Sequence, residues 1–393
     1  MSIFRTTLPA LLFTTALAAP FSAYGFEAAD LESRLKTQLS NQGMAINWAS
    51  AEASGDGMVL KGVTIMPVGE KEPLAIGDAT LTEITDEEDD VVRVGSITLP
   101  DYSLSKDGKG LAVTGFEITG LSLPGPATAD ELSKLGVVES FTVESVAIDD
   151  GGKRIATLNG AGFESEFADD GTMSVSGGIE AFSVDMASVE DAKTKEAMAA
   201  FGFEKLEGGL SMEGSWNSKD GNLKVDTYEI SVDNAGSLGM TFDFGGYTLA
   251  LVKQMQELNK QMANATEEQK AMQGMAMLGM MQQMVFNAAS IRFDDDGITA
   301  KALDYAAKQQ KMTPDDIKNQ AKALLPIMMA QLENADLTAQ VSAAVTKFLD
   351  DPQSLAVTAK PAAPQPFAQL MAAGMSSPKT LPALLGVTVT AND

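Results

Sequence analysis

Methionines are the residues of this sequence whose type and spacing most readily suggest chemistry. Eight of the 22 methionines fall between residues 255 and 284. Four of them recur at i, i+3, i+4 and i+7, which places their thioethers on one face of a predicted helix. Such a stripe can fill gaps in a core, form an adaptable wall for a lipid tail or hydrophobic peptide, or ligate Cu(I). The candidate hydrophobic groove consists of Met272, Met275, Met277, Met280, Met281 and Met284.

The absence of histidine and cysteine decides between these roles. A chain without either residue lacks a Ser-His-Asp triad, a thiolate nucleophile and the usual zinc ligands. Copper-handling proteins of the periplasm usually add histidine or cysteine to their methionines. We therefore interpret the stripe as a core element first and as a hydrophobic groove second, and we expect no metal and no cofactor.

Motifs typical of enzymes are few. Three Ser-x-x-Lys pairs occur, but the Ser-Asp-Asn and Lys-Thr-Gly elements of penicillin-recognising enzymes do not. Two acidic runs, at 86–90 and 294–296, lack the spacing of an EF-hand loop and are expected to form solvated turns. The chain is predicted not to be an enzyme. A hydrolase with a pair of carboxylates stays open as an alternative, because 54 acidic residues can place two across a cleft.

The charge of the chain limits its partners. It has 54 acidic and 28 basic residues, for a formal net charge of −26. Proteins that bind nucleic acid contact phosphates through clusters of lysine and arginine, and no such cluster is visible here. Nucleic acid is therefore not an expected partner.

The first 25 residues have the pattern of a secretory signal peptide. Arg5 precedes an apolar stretch from Leu8 to Ala19, and Ala23-Tyr24-Gly25 fits a cleavage site after Gly25. No later stretch has about 18 consecutive apolar residues, so the cleaved protein is not expected to be an integral membrane protein. The prediction is a periplasmic protein, with a retained signal segment acting as an anchor as the alternative.

The elements that must position these residues are predicted to form an α+β fold. Short alternating segments separated by Asp-Gly turns fill residues 45–188, after a first helix at 28–42, and further strands follow from Leu206 to Phe244. Glycine precedes similar short motifs at 62–65, 95–99 and 115–119, which suggests stacked hairpins. These features predict a large curved antiparallel sheet, built as a hairpin meander, with helices packed on one side.

The C-terminal half is predicted to be rich in helices. After a helix at 188–203 capped by Ser188, one long helix is expected from about Thr248 to Asn287. Later helices are expected near 299–310, 313–333, 335–350 and 366–374, with strands at 289–293, 354–359 and 385–391. The predicted organisation is a signal peptide at 1–25, a mainly β region at 26–247, and a helix-rich region at 248–393 that closes with two strands.

Parts of the C-terminal third resemble a known group of proteins. The segments SIRFDDDGITAKALDYAAKQQKMTPDDIKNQAKALLP (290–326), FLDDPQSLAVTAKPAAPQPFAQL (348–370) and LPALLGVTVTAN (381–392) resemble uncharacterised exported proteins of Gram-negative bacteria. The glycine-punctuated strands are more loosely similar to AsmA-like envelope proteins, whose long curved sheets hold lipid in an apolar groove. The resemblance implies an envelope location but transfers no catalytic residue.

Together these features predict a non-enzymatic periplasmic envelope protein that binds a hydrophobic partner, either a lipid or a segment of an outer-membrane protein. The alternative is a structural or protein-interaction module without a small ligand, which recruits a partner by adding a strand to the edge of its sheet.

Overall fold

The computed structural model describes residues 28–41, 44–67, 72–262, 274, 276–330 and 333–393. Within them the strands form one sheet, and every pairing between neighbouring strands is antiparallel. The strands are β1 (Met44–Asn47), β2 (Ser50–Ser54), β3 (Gly57–Pro67), β4 (Leu74–Glu87), β5 (Val91–Thr98), β6 (Tyr102–Lys106), β7 (Lys109–Thr114), β8 (Glu117–Pro124), β9 (Ser140–Asp150), β10 (Lys153–Phe167), β11 (Thr172–Asp185), β12 (Lys205–Asn217), β13 (Leu223–Val232), β14 (Gly236–Gly245), β15 (Val285–Asp295), β16 (Ser354–Ala359), β17 (Gln365–Pro366) and β18 (Val387–Ala391).

One helix precedes the first strand, and the other helices are inserted between strands along the chain, mostly in its C-terminal half. A further short helical segment covers residues 276–281. The α-helices are α1 (Ala28–Asn41), α2 (Ala192–Ala200), α3 (Leu249–Met262), α4 (Ile298–Gln310), α5 (Pro314–Met329), α6 (Ala335–Asp350), α7 (Phe367–Ser376) and α8 (Leu381–Leu384).

The strands follow one another across the sheet almost in chain order. β5 with β6, and β7 with β8, lie nearly end to end and form one long hairpin that turns at Asp107-Gly108. Both turn residues have positive φ, as the two central positions of a type I′ turn require. From β9 to β15 each strand pairs with the next, and β16 and β18 complete the sheet. The predicted hairpin meander is confirmed.

The sheet is curved. Lys253 on α3, which follows β14, forms an ion pair with Glu131 in the loop before β9. A flat sheet, with strands about 4.8 Å apart, would separate β9 from β14 by about 24 Å. The ion pair shows that the loop before β9 and the helix after β14 lie close together.

Strand glycines mark irregular points in this sheet. Gly160 has a φ of 58°, and a Cβ at this position would lie 2.4 Å from Cδ of Glu180 on the neighbouring strand. Gly115, with a φ of 62°, lies in the same way beneath Glu144. Glycine is required here because other residues disfavour this backbone conformation and would collide with the glutamate. One of the three similar motifs of the sequence therefore marks a break between β7 and β8.

The N-terminal end of the sheet has a closed hydrophobic core. Helix α1 lies against β1 and β8, and it buries Leu31 and Leu35. The strand residues buried with them are Met58, Leu60, Val63, Ala79, Leu81, Ile84, Val92, Val94 and Leu123.

One arginine fastens α1 to the sheet. Arg34 donates hydrogen bonds to Oδ1 of Asp90 at 2.6 Å and to the carbonyl oxygens of Asp90 at 2.7 Å and Leu123 at 3.3 Å. Its hydrogen bond to Asp90, followed by that from the Ala127 amide, lowers the pKa of the Asp90 carboxyl below its ordinary value. Asp90 belongs to the acidic run at 86–90, so this turn has a structural role.

A second core closes the C-terminal end. Helix α6 buries Ala344 and Phe348 against Ala391 of β18, and the rings of Phe348 and Phe293 lie 6.2 Å apart at a steep angle. Aromatic pairs favour this edge-to-face arrangement. The predicted α+β class, with its large antiparallel sheet and helix-rich C-terminal half, is confirmed.

Two predicted helix boundaries are wrong. Helix α2 is capped by Asp191, whose carboxylate accepts a hydrogen bond from the Thr194 amide, and Ser188 lies in a preceding 3₁₀ turn instead. The single long helix predicted at 248–287 ends earlier, because Val285 to Asn287 already belong to β15. A continuous apolar pattern cannot distinguish a buried strand from the end of a helix.

Candidate functional site

One apolar face can be followed across the whole sheet from the register of its strands. Directly opposed residues of an antiparallel pair lie on the same side of the sheet. Starting from the closed N-terminal core, each residue of the first row is the registered partner of the next. This row is Met58, Leu81, Ile97, Ile118, Phe141, Phe163, Gly177, Met212 and Tyr228.

A second row continues the same face to the C-terminal end. It starts at Val143, two residues from Phe141 on β9 and therefore on the same side. It ends in the closed core beneath α6. Its members, again each the registered partner of the next, are Val143, Ala161, Ile179, Leu210, Ile230, Leu238, Phe293, Leu355 and Ala391. Helices α1 and α6 thus cover the two ends of one face.

Between these ends the face is open over β13–β16, whereas Val143 of the same face is buried. Leu238 is 42% exposed, although its registered partner Phe293 packs against α6. Ile291 is 51% exposed and pairs with Val357, which is also exposed. We call the exposed area the open patch; its residues are Ile230, Leu238, Met240, Ile291 and Val357.

The strands that form the open patch keep charged side chains off the patch side. At 228–232, 238–242, 289–293, 355–359 and 387–391 the patch side carries apolar side chains and the single tyrosine Tyr228. Polar residues point to the other side, where Arg292 donates hydrogen bonds to Asp294 at 2.7 Å and 2.8 Å. The hydrogen bond to Asp294 raises the pKa of Arg292. The patch is therefore free of charge, and charged groups of these strands face away from it.

An aromatic cluster borders the open patch. Phe242 lies next to Met240 on the same side of β14, and its ring stacks on that of Phe244 at 5.2 Å. Phe244 also contacts the rings of Phe286 on β15 and Phe367 at the start of α7, at 6.0 Å and 5.6 Å. The cluster extends the apolar surface from the sheet toward the C-terminal helices.

A comparison with protein-family models matches the part of the chain that contains this region of the sheet. Residues 229–392 match the model of one family. Its description reads "Uncharacterized protein". The matched segment starts in β13 and contains all five residues of the open patch. No curated protein matched the chain.

Only four of the six methionines predicted to form a groove lie within the described residues. Met272 and Met275 lie outside the described residues. The other four, all half-buried, lie in or just after the helical segment 276–281, and the Met284 carbonyl accepts a hydrogen bond from the Phe367 amide at 3.0 Å. Their role as a groove stays a prediction, and Met284 lies beside the aromatic cluster. The four are Met277, Met280, Met281 and Met284.

The five residues of the open patch were not among the predicted site residues. Their strands do carry a visible signal, since apolar and polar residues alternate over Ser354–Ala359 and Val387–Ala391. Alternation identifies an apolar face but does not show whether a helix covers it. Whether a helix covers the face is decided by the tertiary structure.

The acidic clusters offer little for chemistry. Asp295 accepts hydrogen bonds from the Gly297 and Thr299 amides at 2.9 Å and so caps α4, and Asp296 accepts one from the Asn234 amide. Across the part of the chain that the structure describes, no three acidic side chains converge closely enough to hold a metal ion. None of the described helices combines the length and apolar character needed to cross a bilayer.

Proposed function

We propose that this protein is a non-enzymatic envelope protein that binds a hydrophobic partner on the open patch. The partner would be a lipid acyl chain or an apolar segment of an outer-membrane protein. One observation carries the proposal: a single apolar face is covered by helices at both ends, and between them its strands β13–β16 expose apolar side chains.

The energetics favour an occupant. The largest exposed apolar patch of a monomeric protein is typically a few hundred Å² and is often functional. At ~25 cal/mol per Å², covering such a patch contributes on the order of 5–10 kcal/mol before the entropy lost on association is subtracted. None of the residues that form the open patch is charged. The partner should therefore be apolar where it touches Leu238 and Ile291.

The envelope location rests on the sequence. The signal-peptide pattern of residues 1–25 and the resemblance of residues 290–326 to exported proteins both support it. The chain has no cysteine, so it would function in an oxidising compartment without forming disulfides. Fractionation of cells that produce the full chain would test this part of the proposal.

Two substitutions at similarly exposed positions test the patch. Leu238 is 42% exposed, and Met312, in the turn before α5 and outside the sheet, is 40% exposed. Leu238→Asp should reduce binding of a fluorescent fatty acid at least tenfold and remove co-purifying lipid from mass spectra, because the carboxylate must be desolvated. Met312→Asp should bind like the wild type. Equal binding by both variants, or no lipid and no probe on the wild type, would rule out a lipid partner.

Strand addition at the edge of the sheet is a second candidate. β18 pairs with β16 along one edge, and no other described strand pairs with its outer edge. Its sequence Val387-Thr-Val-Thr-Ala391 is short, alternating and uncharged, which suits addition of a partner strand. Photo-cross-linking from Thr388 in cells would support this candidate by yielding one dominant protein adduct, and scattered adducts would argue against it.

A further inference from the structure

Acidic residues are unevenly distributed along this acidic chain. Roughly one residue in seven is Asp or Glu, yet the stretches 269–293, 317–332 and 352–392 contain none. Together these three stretches contain six basic residues, two in each. These three stretches therefore carry less negative charge than the rest of the sequence.

The ends of two helices in these stretches expose large apolar side chains. On α5, Leu324, Ile327 and Met328 are spaced i, i+3 and i+4 and so share one face of the helix. Ile327 is 68% exposed and Met328 67%. At the end of α7, Met375 is 89% exposed. We call these four residues the helical apex.

One ion pair joins the chain just after α5 to the chain just after α7. Glu333, shortly after α5, accepts a hydrogen bond from Lys379, shortly after α7, at 2.8 Å. The ion pair places the ends of both helices in the same region. The other end of α7 begins at Phe367, whose ring contacts Phe244 of the aromatic cluster. The apex is therefore linked through one short helix to the border of the open patch.

We propose that the helical apex docks the protein on the surface of a phospholipid bilayer, with Leu324, Ile327, Met328 and Met375 inserted among the lipid headgroups. The docking deepens the proposed function, since it would place the open patch near a source of acyl chains. Charge favours a membrane at this place, because anionic headgroups would repel most of a protein of charge −26, whereas the stretches that carry the apex contain no carboxylate and the neighbouring Glu333 is paired with Lys379. Exposed apolar side chains on a helix face are typical of interfacial binding.

The test uses vesicles of phosphatidylethanolamine and phosphatidylglycerol at 3:1 and the full chain. In flotation assays the double variant Ile327→Asp/Met328→Asp should bind at least tenfold more weakly than the wild type. Met375→Asp provides a second variant at a still more exposed position. Because all three side chains are largely exposed, thermal unfolding should be close to that of the wild type. Ile148→Asp, at a position of β9 that is 42% exposed, serves as the control and should bind normally.

The absence of cysteine allows a direct reading of insertion. Ile327→Cys labelled with an environment-sensitive fluorophore should shift to shorter wavelength on adding vesicles, whereas Ile148→Cys with the same label should not. Equal vesicle binding by the wild type and the apex variants, an unshifted label at 327, or dimers that only the apex variants disrupt would overturn the proposal.

The two proposals, ligand binding by the open patch and membrane docking by the helical apex, can be tested separately. Apex variants should lose vesicle binding yet keep the fatty-acid probe, and Leu238→Asp should lose the probe yet keep vesicle binding. Loss of both properties in either single-site variant would show that apex and patch are not distinct. A wild type that binds the probe but no vesicle would retain the proposed function and remove membrane docking.

Discussion

Leu31 of α1 is completely buried against one end of the apolar face of the sheet, whereas Leu238, on the same face near the other end, is 42% exposed. Both regions are built from strands that place apolar side chains on one side and polar ones on the other. The difference comes from a helix: α1 precedes the first strands and returns over them, but no described helix returns over β13 and β14 in this way. The exposure of the open patch therefore depends on how the helices are distributed, and substitutions in the two regions can test the comparison.

The largest expected effect separates the two regions directly. Leu31→Ala should reduce the free energy of unfolding by about 2–5 kcal/mol, because it leaves a cavity in a closed core. Leu238→Ala should reduce it by less than about 1 kcal/mol, since the side chain is already largely in water. Urea denaturation followed by circular dichroism measures both. Similar losses in the two variants would show that the open patch is core rather than surface.

An intermediate effect is expected where the sheet is irregular. Gly160→Ala should destabilise the protein by about 1–3 kcal/mol, because alanine disfavours a φ of 58° and its Cβ would meet Glu180. The double variant Gly160→Ala/Glu180→Ala should recover part of the loss.

Gly279→Ala is the matched control for this glycine. It lies in the helical segment 276–281 with open space around its missing Cβ, so alanine there should be neutral or slightly stabilising. Thermal unfolding compares the three variants. If Gly160→Ala is as harmless as Gly279→Ala, the middle of the sheet does not depend on the glycine.

The smallest effect concerns the attachment of α1 in acid. Because the pKa of Asp90 is lowered in the folded protein, its carboxylate stabilises the fold above the unfolded value of about 4. This contribution is lost as the pH falls through the lower, folded pKa. Melting temperatures between pH 6 and pH 2 should therefore fall less steeply for Asp90→Asn than for the wild type. Glu88→Gln, an exposed position in the same turn, should follow the wild-type curve.

Local signals made much of the fold predictable. The first helix and the strand at 354–359 were predicted within one residue of their bounds, because leucine spacing in one and strict alternation in the other are unambiguous. The Asp-Gly turn at 107–108 likewise identified its hairpin. Propensity and turn chemistry act over a few residues, so a single sequence is enough to show them.

The site was harder to predict than the fold. The methionines attracted attention by their number, while Leu238, Ile291 and Val357 look like ordinary strand residues. Their exposure depends on which strands are neighbours and where α6 ends. Neither can be predicted from a local sequence pattern. The polarity of each strand could be predicted, but the gap between its covering helices could not.

The order of the strands has a consequence for the size of any bound molecule. Since neighbouring strands are also neighbours in the chain, inserting or deleting one hairpin would lengthen or shorten the sheet without altering its topology. Each strand adds about 4.8 Å to the distance between the helices at the two ends. The number of hairpins between α1 and α6 thus sets the width of the sheet, and under the proposed function related chains with more or fewer hairpins should bind ligands of correspondingly different length.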